Sequence, residues 1–227
     1  VMPPPFPADF RPPPGTASAL RLSFEGQAGA KFSDLSLERL RLHLAGDGQL
    51  VSSVYEALCN RVIGAMLRSP DGDARKNVPL EHNGLLRPIG FESDENLLEY
   101  TTNSFPGYRL LSEFFAYPAK FWFVDLGGFR EAKRAGFTRT LEIVLFLNHT
   151  SPLLEQGVDP TLFRTGCTPI VNLFEQVAEP ININQTRYEY RVVPLVSQPN
   201  GMEVHSIQEV SSTDPAAGRT TVYEPFY

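Results

Sequence analysis

Four histidines, His43, His82, His149 and His205, two cysteines, Cys59 and Cys167, and the acidic run 92–99 are the residues of this chain whose types could do chemistry. A metal site written in sequence shows HxxxH, HExxH or CxxC spacing, which brings its ligands to one helix face or one turn. Here the histidines fall in separate segments and the cysteines lie far apart. The spacing therefore predicts no metal site, and both cysteines read as small buried hydrophobes without a redox role. A serine nucleophile needs a sharp Gly-x-Ser-x-Gly turn with a histidine in reach, and the sequence has no such motif. Gly26, Gly29, Gly127 and Gly128 lack the Lys-Ser/Thr or helix start that would hold a phosphate, and read as turn glycines. Glu92, Asp94, Glu95 and Glu99 sit in a polar stretch with nothing to raise a carboxyl pKa toward the range that acid–base work needs. The expectation is no catalytic residue, no cofactor and no metal.

The elements that would have to position such groups look like a scaffold. Residues 107–126, from Gly107-Tyr108-Arg109-Leu110-Leu111 through Phe114-Phe115 to Trp122-Phe123-Val124, form a dense aromatic run joining a helix to a strand. Pro106-Gly107 opens that helix, Leu110, Leu111, Phe114 and Phe115 are its predicted buried edge, and Pro118 closes it. The strand over 121–126 is apolar on both faces and should be central in its sheet. At 42% apolar and 11% aromatic over 227 residues, the chain has ample material for a core. Its formal charge of −6, with the basic residues scattered, argues against a nucleic-acid partner. No apolar run reaches the roughly 20 residues that cross a bilayer, so no membrane insertion is expected. The start Val1-Met2-Pro3-Pro4-Pro5 has no signal-peptide pattern, which predicts a cytoplasmic protein, and it reads as the opening of an internal piece of something longer.

Residues 1–17 hold seven prolines and read as an extended arm, either a linker or a strap on a neighbouring surface. Leu20, Leu22 and Phe24 alternate with polar residues as one strand, and Leu40, Leu42 and Leu44 as a second with Arg39, Arg41 and His43 on its wet face. Asp47 is placed to cap a helix over 49–68, and 71–76 is a polar loop. The pattern then recurs: Leu20, Leu22, Phe24 and Gly26 align with Trp122, Val124, Leu126 and Gly128, and Leu40, Leu42 and Leu44 with Ile143, Leu145 and Leu147. Two readings stay open, a duplicated unit or strand pairs that align because alternating leucines always do. The fold class is α+β, with two related, mostly antiparallel sheet-plus-helix units over 18–103 and 104–227. Beyond residue 180 the texture predicts strands over 188–196 and 203–210 around a Pro199-Asn200-Gly201 turn, a loop over 211–218 and an edge strand over 220–223.

The segment Gly166-Cys167-Thr168-Pro169-Ile170-Val171-Asn172-Leu173-Phe174, continuing to 181, with Glu189-Tyr190-Arg191-Val192-Val193-Pro194 and Glu203-Val204-His205-Ser206-Ile207, closely resembles the TssF (VasA, ImpG) family. These are baseplate subunits of the bacterial type VI secretion system, a contractile injection machine. The aromatic run 107–126 resembles the same family; 18–91 fits more loosely. The resemblance implies an internal fragment of a non-enzymatic scaffold subunit of the baseplate wedge. Its implied partners are TssG, TssK and other TssF copies, with the VgrG spike hub and the sheath nearby. The implied location is the cytoplasm, against the inner-membrane complex. The motif 167–172 has a purely structural reading as well, with Pro169 fixing the backbone, Ile170 and Val171 filling the core and Asn172 tying a buried turn. Interface candidates are Tyr108, Arg109, Phe115, Tyr117 and Trp122, because Trp, Tyr and Arg dominate hot spots, although each also suits a core position. A reading of another class, a β-rich glycan-binding or hydrolase module using exposed aromatics and the loop 92–99, is open on sequence alone.

Overall fold

Alternation sets the first strand: in β1 (Ser18–Glu25) Leu20 and Leu22 are buried while Arg21 and Ser23 are exposed. The same period makes β2 (Leu40–Leu44), with Leu42 and Leu44 buried. The computed structural model describes residues 1–70, 77–99, 105–197, 201–214 and 217–223, so the expected loop 71–76 lies outside the described residues. Asp47 caps α1 (Gly48–Asn60) as its position predicts, its carboxylate accepting from the Gln49 and Leu50 backbone N–H groups. That helix was expected to reach Arg68. It stops at Asn60 instead, and the rest becomes β3 (Val62–Arg68). The β-branched pair Val62-Ile63 followed by Gly64 is a poor continuation for a helix, and the segment gains a ladder of interstrand bonds instead. The remaining elements are β4 (Val78–Leu80), β5 (Leu86–Pro88), α2 (Pro106–Ala116), β6 (Phe123–Leu126), α3 (Phe129–Arg134), β7 (Thr140–Leu147), α4 (Pro152–Gly157), β8 (Phe163–Arg164), β9 (Val210–Asp214) and β10 (Arg219–Tyr223).

Residues Val1–Val171 form one compact unit and Asn172–Tyr227 a second. The first unit holds two four-stranded antiparallel sheets, ordered β1-β7-β3-β4 and β5-β6-β2-β8. Its larger core brings together Leu20, Leu22, Ile143 and Leu145 of the first sheet, Leu42, Leu44, Val124 and Leu126 of the second, and Val51, Val54 and Leu58 of α1. β6 is an interior strand with Phe123, Val124 and Leu126 buried, as its two apolar faces predict.

The pairing crosses the expected boundary at 103/104. The first sheet takes β1, β3 and β4 from before it and β7 from after; the second takes β6 and β8 from after it and β2 and β5 from before. Strands on either side of that point complete each other's sheets, so it does not separate two compact bodies. Apart from α3, which lies between β6 and β7, the order strand, strand, helix, strand occurs twice, as β1-β2-α1-β3 and β6-β7-α4-β8, with β7 running between β1 and β3 and β2 between β6 and β8.

The arm 1–17 lies on the chain's own first sheet. Met2 bridges Ala19, and Phe6 and Phe10 pack edge-on against Phe146 at 6.4 and 6.1 Å between ring centres, over Met66 and Val144. Gly64 admits the Pro13 ring, since a methyl group there would come within 2.9 Å of it. Arg68 clamps the arm through Asp9 and also donates to the buried Glu142 at 2.6 Å. A strap of prolines costs little backbone entropy to hold extended, which is why one bridge and a few rings suffice.

The second unit departs from expectation. Tyr188–Val196 and the residues before Val210 form no strand; the hairpin is β9 with β10 instead, and β9 occupies part of the expected loop 211–218. Pro199 and Asn200 lie outside the described residues. Alternating residues make a strand only where a partner strand can satisfy the backbone, and polar pairs such as Thr213 with Thr220 found one.

Candidate assembly interface

In α2, Arg109 and Glu113 are spaced four apart and share one helix face. That face is the buried one, leaving Arg109 5% and Glu113 9% exposed. Burying charges is costly unless every one is partnered, and here nearly all are. The Arg109 guanidinium donates to the carbonyls of Glu92 and Phe91, both at 3.0 Å, with only its Nε left unpartnered. The Glu113 carboxylate accepts the Leu97 N–H at 3.0 Å and pairs with the ammonium of Lys120, which is 1% exposed. Lys120 sits in the short turn Pro118–Phe121 just after the helix. The loop before the helix is held by its own acids, since Glu95 accepts from the Gly90 and Glu92 N–H groups. The Glu95 carboxylate thus holds a turn, and the glycan or hydrolase reading finds no support here.

With its charges inside, α2 turns its apolar residues outward. The predicted buried edge is reversed: Leu111 is 57%, Phe114 45% and Phe115 80% exposed, Leu110 is only half-buried, and Phe105, Tyr108 and Tyr117 are exposed too. The five sequence candidates are therefore split. Tyr108 and Phe115 lie on the open face of α2, and Tyr117 is exposed just past its end. Arg109 is an internal anchor, and Trp122 is half-buried with its ring edge-on to Tyr55 at 5.3 Å, against the core. Phe105, Leu111 and Phe114 were missed as surface residues. Their signal was the i, i+4 pair Arg109 and Glu113 with Lys120 nearby, which competes with the aromatics for the inside.

A second apolar stretch lies open. Ile170, Val171, Leu173, Phe174 and Val177 are all exposed, so Ile170 and Val171 do not fill a core and Asn172 ties no buried turn. Cys59 and Cys167 are half-buried, less than expected. Burial still pushes the Cys59 thiol up to about 11, which keeps it protonated and unreactive at neutral pH. His43 stacks on Phe123 at 4.4 Å, and burial lowers its pKa from the ordinary value. Among the described residues no three His, Cys, Asp or Glu side chains are grouped to hold a metal ion, and no helix is long and apolar enough to cross a membrane.

Residues 1–227 match the family described as "Type VI secretion system, TssF". The chain belongs to the TssF family. It is 33% identical over 214 residues to the type VI secretion system component TssF1 of Pseudomonas aeruginosa, a match covering 94% of this chain and 34% of that protein. It thus spans about a third of the length of this TssF relative. A chain in the cryo-electron microscopy structure of a type VI secretion system TssK-TssF-TssG baseplate subcomplex matches with a TM-score of 0.65 and 26% identity, over 95% of this chain and 40% of that one. The family match takes in the arm and the first strands as well as the 104–210 stretch that carries the resemblance in sequence.

Proposed function

We propose that this chain is a structural, non-catalytic part of a type VI secretion baseplate wedge, working in the bacterial cytoplasm beside the inner-membrane complex. Its partners in this reading are subunits of the TssG and TssK kinds and further TssF copies, with the spike hub and the contractile sheath nearby. The observation that carries it is the inverted helix α2. A helix that partners its charges internally and leaves Tyr108, Leu111, Phe114 and Phe115 exposed, with Phe105 and Tyr117 exposed at its two ends, is unfavourable in isolation and favourable once covered. The name of the structural relative, a subcomplex of TssK, TssF and TssG, supports the choice of partners. Co-expression of this chain with TssG and TssK from one organism tests it. Co-purification of the three is expected, and a chain that stays alone at micromolar concentration would count against the proposal. The crosswise strand pattern also supports the duplication reading, in which Leu20–Leu44 corresponds to Trp122–Leu147. Superposing β6-β7-α4-β8 on β1-β2-α1-β3 should place the helices on the same side of their strands.

A further inference from the structure

We infer that residues 3–16 form a lid that opens as one unit from the outer face of the first sheet while the main core stays closed. This stands apart from the assembly reading above. The segment is tied at both ends. The Met2 and Ala19 backbones exchange hydrogen bonds in both directions at 2.9 Å, and the Ala17 N–H donates to the Leu147 carbonyl at 2.8 Å. Between these ties the Phe10 N–H donates to the Pro7 carbonyl at 3.0 Å and that of Thr16 to Pro13 at 3.3 Å, bonds that can travel with the segment. A stretch whose ends meet and whose own side chains pack beneath it is an Ω-loop, and the least stable part of a fold is drawn from such elements. Gly15 supplies a hinge, at φ +86° with open space where a side chain would stand.

Two features let the lid leave without disturbing what it covers. Phe6 and Phe10 close over Met66, Val144 and Phe146, a cluster separate from the main core, so uncovering these residues leaves the contacts of the main core in place. Arg68 also serves two acids at once. It donates to Asp9 of the lid and, at 2.6 Å, to Glu142, which is 5% exposed and accepts from the Ser23 hydroxyl at 3.3 Å as well. When the lid lifts, Glu142 keeps its cation and Asp9 passes into water, so no buried charge is stranded. The prolines limit the chain entropy gained on release, which keeps the closed form dominant. Closed, the lid fills this face with its own rings, a self-inhibitory contact that any other aromatic segment would have to displace. Open, it bares Met66, Val144 and Phe146.

Thiol labelling of the whole chain, with Cys59→Ala and Cys167→Ser as background, tests this. Val144 lies under the lid and Val124 in the main core, and both are fully buried valines. Val144→Cys should react with a thiol reagent at least about tenfold faster than Val124→Cys, at a rate nearly flat in low urea, whereas the rate for Val124→Cys should climb with urea as global unfolding does. Damage to the fold by Val124→Cys would speed its labelling and so work against this result. Adding Asp9→Asn should raise the rate for Val144→Cys about threefold or more and leave that for Val124→Cys unchanged. Equal rates with the same urea dependence would mean that the arm opens only when the chain unfolds, and the inference falls. It falls too if Asp9→Asn leaves the labelling of Val144→Cys as it was, since Arg68 would then be no latch.

Discussion

Phe6 and Phe10 of the arm and Phe114 and Phe115 of α2 are the same side chain in two situations. The arm pair covers Phe146, Met66 and Val144; Phe10 is itself buried and Phe6 half-buried, and Asp9 beside them pairs with Arg68. The α2 pair rides on a helix whose charged residues took the inside, so Phe115 projects into water and Phe114 covers Phe121 with only part of its ring. Hydrophobicity alone does not sort the two regions, because both are rich in aromatics. The partners available to the charges do: two loop carbonyls and a buried lysine make the polar face of α2 the cheaper one to bury.

The largest effect should come from removing the lysine of that polar anchor. Lys120→Ala leaves Glu113 buried without its cation and should cost about 3–5 kcal/mol in denaturant unfolding. The double change Glu113→Leu with Lys120→Met, which replaces both charges, should recover most of it. A single variant as stable as the original would mean that α2 is not held by its charges.

Truncating the arm's central ring comes next. Phe10→Ala removes a buried side chain against Phe146 and should cost about 3 kcal/mol, near the lower end for such changes because the arm can readjust. Phe115→Asp, the matching change on α2, should leave the melting temperature within a degree or two, as about 0.5 kcal/mol or less is expected at an open position. Equal losses at both sites would erase the contrast between the regions. An intermediate reference is Asp47→Ala at the start of α1, expected to cost about 1 kcal/mol.

The smallest effects are those of pH. Burial lowers the His43 pKa, so the folded chain binds that proton less readily than the unfolded one. Its contribution to stability is full above the ordinary value of 6.5 and declines as the pH falls through 6.5 toward the lowered value. His43→Gln should flatten stability between pH 7.5 and 5. The arm responds only at stronger acidity: the hydrogen bond from Arg68 holds the Asp9 carboxyl below 3.8, so that contribution persists above about 4 and fades as the carboxyl protonates. Limited proteolysis of the arm against pH reads the difference.

Much of the first unit was legible because its signals are local. Alternation placed β1 and β2, Asp47 placed the start of α1, and two apolar faces marked β6 as interior. What failed depended on distant partners. Val62 to Met66 carries apolar residues that suit either a helix or a strand, and only the offer of β7 as a neighbour decided for the strand. In the second unit, segments patterned as strands found no partner and stayed irregular, while a polar pair formed the hairpin.

The sequence by itself determined that this chain has a large apolar core of mixed helices and antiparallel sheets, that its few reactive side chains are dispersed, and that it resembles TssF. Those follow from residue type and near-neighbour spacing. Tertiary structure decided which side of α2 faces out, that the arm clasps its own sheet, and that β7 runs between β1 and β3 while β2 runs between β6 and β8. These outcomes turn on which buried charge meets which carbonyl or lysine, and on which strand is left with an open edge. Both are pairings between residues far apart in the chain, for which local pattern holds no record.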